Sequence, residues 1–267
     1  MKLMATKIIR HIKIFTHLSK INFLTSLEYR INFITLLIPT GLYSAGYLFF
    51  LKSIISKIPV VAGWDFNMLL LLFAGDQFIY YAGWYLFRDS LRFFTEGVKH
   101  GDFDQVLKLP VNARFISSFR HQQAHNLLAF LIPIIICVYA SRLLNFTPWQ
   151  LLIFFISLLL GLGIMYNLFF IIASLSFWIT ETEDVEDLFD ETSSLSKYPA
   201  EVFPRWLAFI FIFIFPLLVV AYIPTAVLLN KLNVLSIIIC ILMFFITFIL
   251  SQKIWHAGLR RYSSASS

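Results

Sequence analysis

Long apolar runs alternate with short polar intervals along this chain of 267 residues, and that pattern predicts its elements. A helix crosses the hydrocarbon core of a bilayer with about 20 mostly apolar residues. Six segments meet that requirement: Ile31–Leu51, Phe66–Phe87, His125–Ala140, Trp149–Trp178, Val202–Val220 and Asn233–Trp255. Pro216 and Pro224 interrupt the fifth apolar run, so we expect its last part, Ala221–Leu229, to form a short re-entrant or interfacial piece. The sequence thus predicts an all-α integral membrane protein with one transmembrane domain over residues 1–267.

The first 30 residues carry a different pattern. Apolar residues recur at helical spacing on one face and basic or histidine residues lie on another: Ile8, Ile12, Phe15 and Leu18 against Arg10, Lys13, His17 and Lys20. A basic amphipathic helix of this kind lies along an anionic membrane surface. A solvated helix would explain the charges but not the apolar stripe. We therefore expect residues 1–30 to form a cytoplasmic interfacial helix rather than a cleaved signal peptide.

The composition of the chain indicates a membrane environment, and the distribution of its charges indicates the orientation of the helices in the membrane. The chain is 59% hydrophobic and 13% charged, whereas soluble domains carry about 25% charged residues. Seventeen of the 21 Lys and Arg residues fall on the side that holds both termini and the intervals after the second and fourth spans. Because cytoplasmic loops concentrate Lys and Arg, both termini are expected in the cytoplasm. The net charge of +6 then reflects topology, and we expect no nucleic-acid partner.

The polar interval between the second and third predicted spans, residues 88–124, keeps an apolar pattern of its own. Within Arg88–Arg120 six basic and four acidic residues are interspersed with apolar ones, which are Phe93, Phe94, Val98, Phe103, Val106, Leu107 and Leu109. Such a segment is too polar for the bilayer core and too regularly patterned for a plain linker. We interpret it as a cytoplasmic surface on which another protein docks.

The interval after the fourth span, residues 179–201, is predicted to be an acidic cytoplasmic loop. It holds seven acidic residues within the eleven positions Glu181–Glu191. Apolar or small residues nevertheless keep helical spacing, namely Val185, Leu188, Phe189, Thr192 and Leu195. The pattern indicates a short amphipathic helix whose apolar side packs on the membrane body, while its acidic side meets the basic interval, a partner protein or solvent alone. The run lacks the loop pattern of a Ca²⁺ site, and we expect no metal.

One carboxylate lies near the middle of a predicted span. Asp76 is followed by Gln77, Tyr80 and Tyr81. An ionised group at that depth is costly and faces a cavity or a partner. Two interpretations stay open: these four residues form part of a substrate or proton path, or Asp76 makes a structural hydrogen bond to a neighbouring helix. The chain contains no P-loop, GxSxG, HExxH or CxxC motif, so we expect no catalytic residues and no ATP hydrolysis by this chain itself.

Four stretches carry a family resemblance. They are LEYRINF at 27–33, EGVKHGDFDQVLKLPVN at 96–112, SFW at 176–178 and YPAEVFPRWLAFIFIFIFPLLVVAYIPTAVLL at 198–229. In their order and spacing they resemble the permease subunits of type 2 ATP-binding-cassette exporters, in the compact six-span branch that includes the viologen-exporter permeases. The dense acidic run Glu181–Glu191 departs from the pattern of that family.

The resemblance implies half of a membrane pore in the bacterial inner membrane, paired with a second copy or a sister permease. Separate ATPase subunits would carry ATP and Mg²⁺, and this chain would hold no cofactor. A coupling helix within Glu96–Asn112 would enter a groove on the ATPase. The residues matched to that role are Phe94, Glu96, Gly97, Val98, Gly101, Asp102, Phe103, Leu107, Pro110 and Val111. Phe94, Val98, Phe103 and Leu107 are the expected apolar anchors of the contact.

Other functions remain compatible with the sequence. The chain would otherwise be a transporter or channel that works without ATP and uses Asp76 as its coupling group. A membrane scaffold with no transport role is the third possibility.

Overall fold

The computed structural model describes residues 2–28, 30–124, 126–179 and 182–262, and within them the chain is helical with no β-strand. The helices are α1 Lys2–Glu28, α2 Arg30–Ile55, α3 Phe66–Gly83, α4 Asp89–His100, α5 Phe103–Leu107, α6 Ala113–Phe119, α7 Asn126–Ala129, α8 Leu131–Leu143, α9 Pro148–Ser174, α10 Thr182–Ser193, α11 Arg205–Phe209, α12 Leu217–Leu228 and α13 Ile237–Arg261. Single helical turns lie at Leu175–Phe177, Ser194–Lys197, Ala200–Val202 and Val234–Ser236, and a π-helical turn extends α11 over Ile210–Ile214.

Three stretches of the described chain are long and apolar enough to cross a bilayer. They are Asn126–Leu143, Pro148–Phe177 and Val234–Arg261, and the number becomes four if the bent pair formed by α11 and α12 counts as one span. These stretches coincide with the third, fourth and sixth predicted spans, so the chain is a multi-pass membrane protein. The first and second predicted spans correspond to α2 and α3, and the full set of six remains a prediction. His125, the predicted start of the third span, lies outside the described residues.

The fifth predicted span breaks at a different place from the one that the sequence indicated. We expected a span to Val220 and a re-entrant piece from Ala221 to Leu229. Instead the chain turns by 102° between the helices that end at Ile214 and begin at Leu217. Pro216 lies at this corner, where its missing N–H and its ring end the preceding helix. Pro224 is accommodated inside α12.

Helix α12 lies in the centre of the protein rather than at an interface. All 12 of its residues are buried. It packs between α3, α9 and α13, and a Cβ built on Gly161 of α9 would overlap the carbonyl oxygen of Val220. Only glycine permits this close approach of the two backbones. The contact between Gly161 and Val220 therefore determines how closely α9 and α12 pack.

Helices α9 and α13 run parallel to each other, because their contacts advance together along both. Gly163 lies against Phe244, and the Nδ2 of Asn167 donates to Thr247 Oγ1 at 3.4 Å. Further along, Phe170 packs on Trp255, with ring centroids 5.2 Å apart. Two parallel neighbours require that the chain between them crosses the bundle an odd number of times.

That crossing begins in the segment that we predicted to be a loop on one side. Asp190 pairs with Arg88 beyond one end of α3, and Ser196 donates a hydrogen bond to Asp76 within α3. Glu201 accepts a hydrogen bond from the indole Nε1 of Trp64, just before α3 begins, at 3.2 Å. From Asp190 onward the segment therefore follows α3 to its opposite end, and the cytoplasmic placement of residues 179–201 remains a prediction. The irregular backbone is tolerated there because protein covers it.

Helices α3 and α4 form one continuous rod. A π-helical turn at Trp84–Arg88 joins them, and the residues around it keep right-handed helical dihedral angles. The second predicted span, which we ended at Phe87, thus continues without a break into the polar interval. A displacement of α4 is therefore transmitted directly to α3.

The glycine contact in the core gives a testable expectation. Gly161→Ala should lower the thermal midpoint of the detergent-solubilised protein, because the added methyl group forces α12 away from α9. Overpacking of a close-packed core costs about 1–3 kcal/mol. Gly46→Ala is the matched control: a Cβ there meets no atom within 4 Å, and alanine is favoured over glycine inside a helix by about 0.5–1 kcal/mol. Equal midpoints for the two variants would contradict the assigned packing.

Candidate functional site

The polar interval folds into a helical turn that projects from the bundle. Helix α4 ends at Gly101, whose φ of +83° is in the left-handed region. Glycine adopts this conformation without the steric cost that a Cβ imposes. The chain then reverses into α5, and the side chain of Asn112 caps α6 by accepting from the N–H of Phe115 at 3.2 Å. The two turn residues fix α5 between α4 and α6.

Two of the predicted apolar anchors point inward. Phe94 and Phe103 are 5% and 1% exposed. Their rings pack on each other at 5.2 Å and both contact Trp255 of α13, at 5.5 and 6.0 Å. Each side chain fills the core of this chain, so neither is exposed to a partner in this structure, and their part in docking stays a prediction. They join α4 and α5 to α13.

Four consecutive exposed residues lie at the end of α5 and directly after it. Leu107 and Leu109 are 44% and 41% exposed, and Lys108 and Pro110 between and beside them are also exposed. We call Leu107–Pro110 the coupling tip, after the role that the family resemblance predicts for this segment. Leu109 and Lys108 were absent from the residues that the sequence singled out for this role, although Leu109 belongs to the apolar pattern that pointed to the segment.

The other predicted coupling residues surround the tip without forming a single surface. Glu96 and Asp102 are exposed, and Gly97, Val98 and Val111 are half-buried. Glu96, Gly97 and Asp102 line a cleft of about 320 Å³ between α4, α5 and α6.

Helix α1 lies against α6 and the coupling tip. Phe15 packs edge-on to Phe119 with ring centroids 5.8 Å apart, and the Nδ2 of Asn22 donates to the carbonyl of Arg120 at 2.9 Å. Arg10 donates from Nη2 to the carbonyl of Pro110 at 2.8 Å. The N-terminal helix thus holds the base of the tip. Its placement along the membrane surface remains a prediction.

A cavity of about 840 Å³ lies between α2, α3, α9 and the end of α10. All four residues of the predicted transport path line it, which are Asp76, Gln77, Tyr80 and Tyr81. Further aromatic and charged side chains that the sequence did not single out complete the wall: Tyr43, Trp84, Phe87, Arg88, Arg92, Phe169, Asp190, Glu191 and Lys197. No pattern local to α3 identifies all of these residues, because they come from four stretches of the chain: α2, the continuation of α3 into α4, α9, and the end of α10 with the turn after it.

Asp76 makes hydrogen bonds with both of its carboxylate oxygens. The hydroxyl of Ser196 donates to Oδ1, and the amide Nε2 of Gln77 donates to Oδ2 at 3.1 Å. These contacts support the structural interpretation of Asp76, with one difference: its partner is a turn that follows α10 rather than a neighbouring helix. Because Asp76 also lines the cavity, its other proposed role stays a prediction.

The acidic helix α10 meets the basic face of α4. Asp190 pairs with Arg88, whose guanidinium also lies over the rings of Trp84 and Phe169 at 4.3 and 4.2 Å. Thr95 donates from Oγ1 to Glu186 Oε1 at 2.7 Å. Burial raises the pKa of the Glu186 carboxyl above its usual range, and the hydrogen bond from Thr95 opposes part of that rise.

The apolar side of α10 is only partly covered. Phe189 packs edge-on to Phe169 of α9 with ring centroids 4.9 Å apart, whereas Leu188 is 64% exposed. Of the alternatives for the acidic face, the contact with the basic interval is the one that the structure contains. Among the described residues, no three His, Cys, Asp or Glu side chains are grouped so that they could hold a metal ion.

Comparison with known proteins identifies the family. Residues 42–266 match a family model described as ABC-2 family transporter protein. Comparison with curated proteins and with solved structures gave no match. The matched region covers most of the chain, including α3 to α13. This chain therefore belongs to the ABC-2 transporter family, whose membrane subunits serve transport and pair with ABC ATPase subunits.

Proposed function

We propose that this chain is the permease subunit of an ATP-binding-cassette exporter and moves its substrate outward. A separate ATPase subunit, which carries ATP and Mg²⁺, docks on the coupling tip. One observation supports this most directly: the exposed apolar tip lies at the end of α5, a tight turn at Gly101 joins α5 to α4, and α4 is continuous with α3, which lines the cavity. The docking point and the cavity are therefore linked through the rod formed by α3 and α4.

The proposed coupling follows from that geometry. Closure of the ATPase dimer pushes the coupling tip and α4. The rod from Phe66 to His100 contains about 35 residues and spans roughly 52 Å at the helical rise. The part of this rod that α4 forms moves with the coupling tip. The contacts of Phe94 and Phe103 with Trp255 then transmit the displacement to α13. The cavity walls then separate toward the outer side.

The remaining assignments complete the proposal. A second copy or a sister permease completes the path across the bilayer. The complex sits in the bacterial inner membrane with both termini in the cytoplasm, as the distribution of Lys and Arg favours. The chain makes no direct chemical change to its substrate.

Docking on the coupling tip predicts a selective loss of binding. Leu107→Asp combined with Leu109→Asp should weaken co-purification of the ATPase subunit, because each change puts a charge into an apolar contact. Loss of two central apolar contacts costs about 2–3 kcal/mol, or roughly 30- to 150-fold in affinity. The measurement is a titration of the purified ATPase subunit onto the permease in nanodiscs.

The control is Leu188→Asp. It changes a leucine that is even more exposed but lies on α10, away from the tip. Its affinity should equal that of the parent. If the double variant binds as tightly as the parent, or if the Leu188 variant loses as much affinity, docking is not on the tip.

The ATP-independent alternative is separated from the proposal by Asp76→Asn. Asparagine keeps an acceptor oxygen for the hydroxyl of Ser196, and its NH2 can donate to Oε1 of Gln77 once that amide turns over, so we expect this change to reduce transport less than tenfold. Transport should keep its full requirement for ATP and the ATPase subunit. The measurement is the uptake of three probes into inverted membrane vesicles: ethidium, an uncharged fluorescent dye and a fluorescent phospholipid. Transport that runs on a proton gradient without the ATPase and is abolished by Asp76→Asn would favour the alternative.

A further inference from the structure

We propose that helix α10 is a connector that carries the motion of α4 to the wall of the cavity, with Asp190 and Glu186 as its positioning residues. This inference rests on the proposed function, since it presumes that an ATPase moves α4. It assigns a role to the acidic run, which the family pattern leaves without one.

Helix α10 is attached to α4 along one face. Acidic residues at positions 186, 187 and 190 of α10 meet Thr95 and Arg92 of α4 and Arg88 of the preceding π-helical turn, in antiparallel order. Positions separated by three and four residues lie on the same face of a helix. The dense spacing of the carboxylates is therefore what a continuous contact with α4 requires.

The three links differ in strength. Arg92 and Asp187 approach to 3.8 Å with side chains that are 46% and 69% exposed, and exposed pairs of this kind contribute little. Arg88 and Asp190 are 9% and 23% exposed. Thr95 and Glu186 are both buried. Removing one partner of a buried polar pair leaves the other without compensation, so these two links hold the helices together.

The other end of α10 forms part of the cavity wall. Ser193, Ser194, Ser196 and Lys197 all line the cavity. Ser196 binds Asp76 of α3, and Lys197 donates from Nζ to the hydroxyl of Tyr43 on α2 at 2.9 Å. Three residues separate Asp190 from Ser194, so a shift of α10 with α4 must move this wall relative to α2. The path from the coupling tip to the cavity then has two branches, one through α3 and one through α10.

The acidic residues of α10 do not all take part. Asp184 lies on the exposed side of the same helix. If the run served only to give the surface negative charge, Asp184 and Asp190 would be equivalent. If α10 is a connector, only the residues that face α4 matter, and this difference makes the proposal testable.

The experiment measures how accessible the cavity wall is to a thiol reagent. Ser194→Cys, in a background with Cys137→Ala and Cys240→Ala, places one reactive thiol on the wall. The rate of labelling with a maleimide is measured in nanodiscs with the ATPase subunit bound, with and without a non-hydrolysable ATP analogue. The analogue should change the rate severalfold in this parent and in the Asp184→Asn control. In Asp190→Asn that change should be lost, while the ATPase subunit still binds and hydrolyses ATP.

A second pair of variants serves if Asp190→Asn fails to fold. Glu186→Gln keeps an acceptor for Thr95 and should preserve the response to nucleotide. Thr95→Val removes the donor and should diminish that response. An unchanged response in Asp190→Asn, or in Thr95→Val where Asp190→Asn does not fold, overturns the connector alone. A parent that binds no ATPase subunit overturns the proposed function itself, so the two failures are distinguishable.

Discussion

Polar groups that lie at membrane depth must find their partners inside the protein, and this constraint shapes the whole bundle. The segment from Asp190 to Glu201 consists of the end of α10 and short helical turns, and bilayer lipid offers its polar groups no hydrogen bonds. Asp76 accepts from Ser196, Tyr43 accepts from Lys197, and Glu201 accepts from Trp64. Asp76, which lies in the middle of a predicted span, thus holds the neighbouring segment in place by accepting a hydrogen bond from Ser196.

The same constraint brings the two functional regions together. Because the segment from Asp190 to Glu201 follows α3, the acidic helix before it is drawn against α4, where the basic residues of the polar interval lie. The cavity lies between the segment, α2 and α3. An ATPase subunit that docks beyond α5, as proposed, would act on the cavity through the short set of contacts between α4 and α10.

The sequence predicted the helices far better than the contacts between them. Apolar runs located α8, α9 and α13 because a span needs a fixed length of apolar chain. Helical spacing in the acidic run likewise indicated α10. The corner at Pro216 was misplaced, since Pro224 gives the same local signal and only the burial of α12 shows which proline is tolerated.

The candidate site shows the same limit. An apolar residue in a polar interval faces either its own core or a partner, and periodicity cannot separate the two. Leu107 and Leu109 are exposed, whereas Phe94 and Phe103 fill a gap against Trp255. That gap is created by α13, more than 130 residues later in the chain. Contacts of such long range leave no mark on the local pattern.

The complete burial of α12 has a consequence for biosynthesis. Its neighbours include α13, and the thiol of Cys240 contacts the carbonyl of Val219 at 3.7 Å. Helix α13 leaves the ribosome after α12, so α12 cannot complete its packing until α13 has been made. Until then α12 must wait beside the translocon or in lipid. The insertion of α13 thus closes the core around α12, and a nascent chain that stops before α13 would present an unfinished core to the proteases of the membrane.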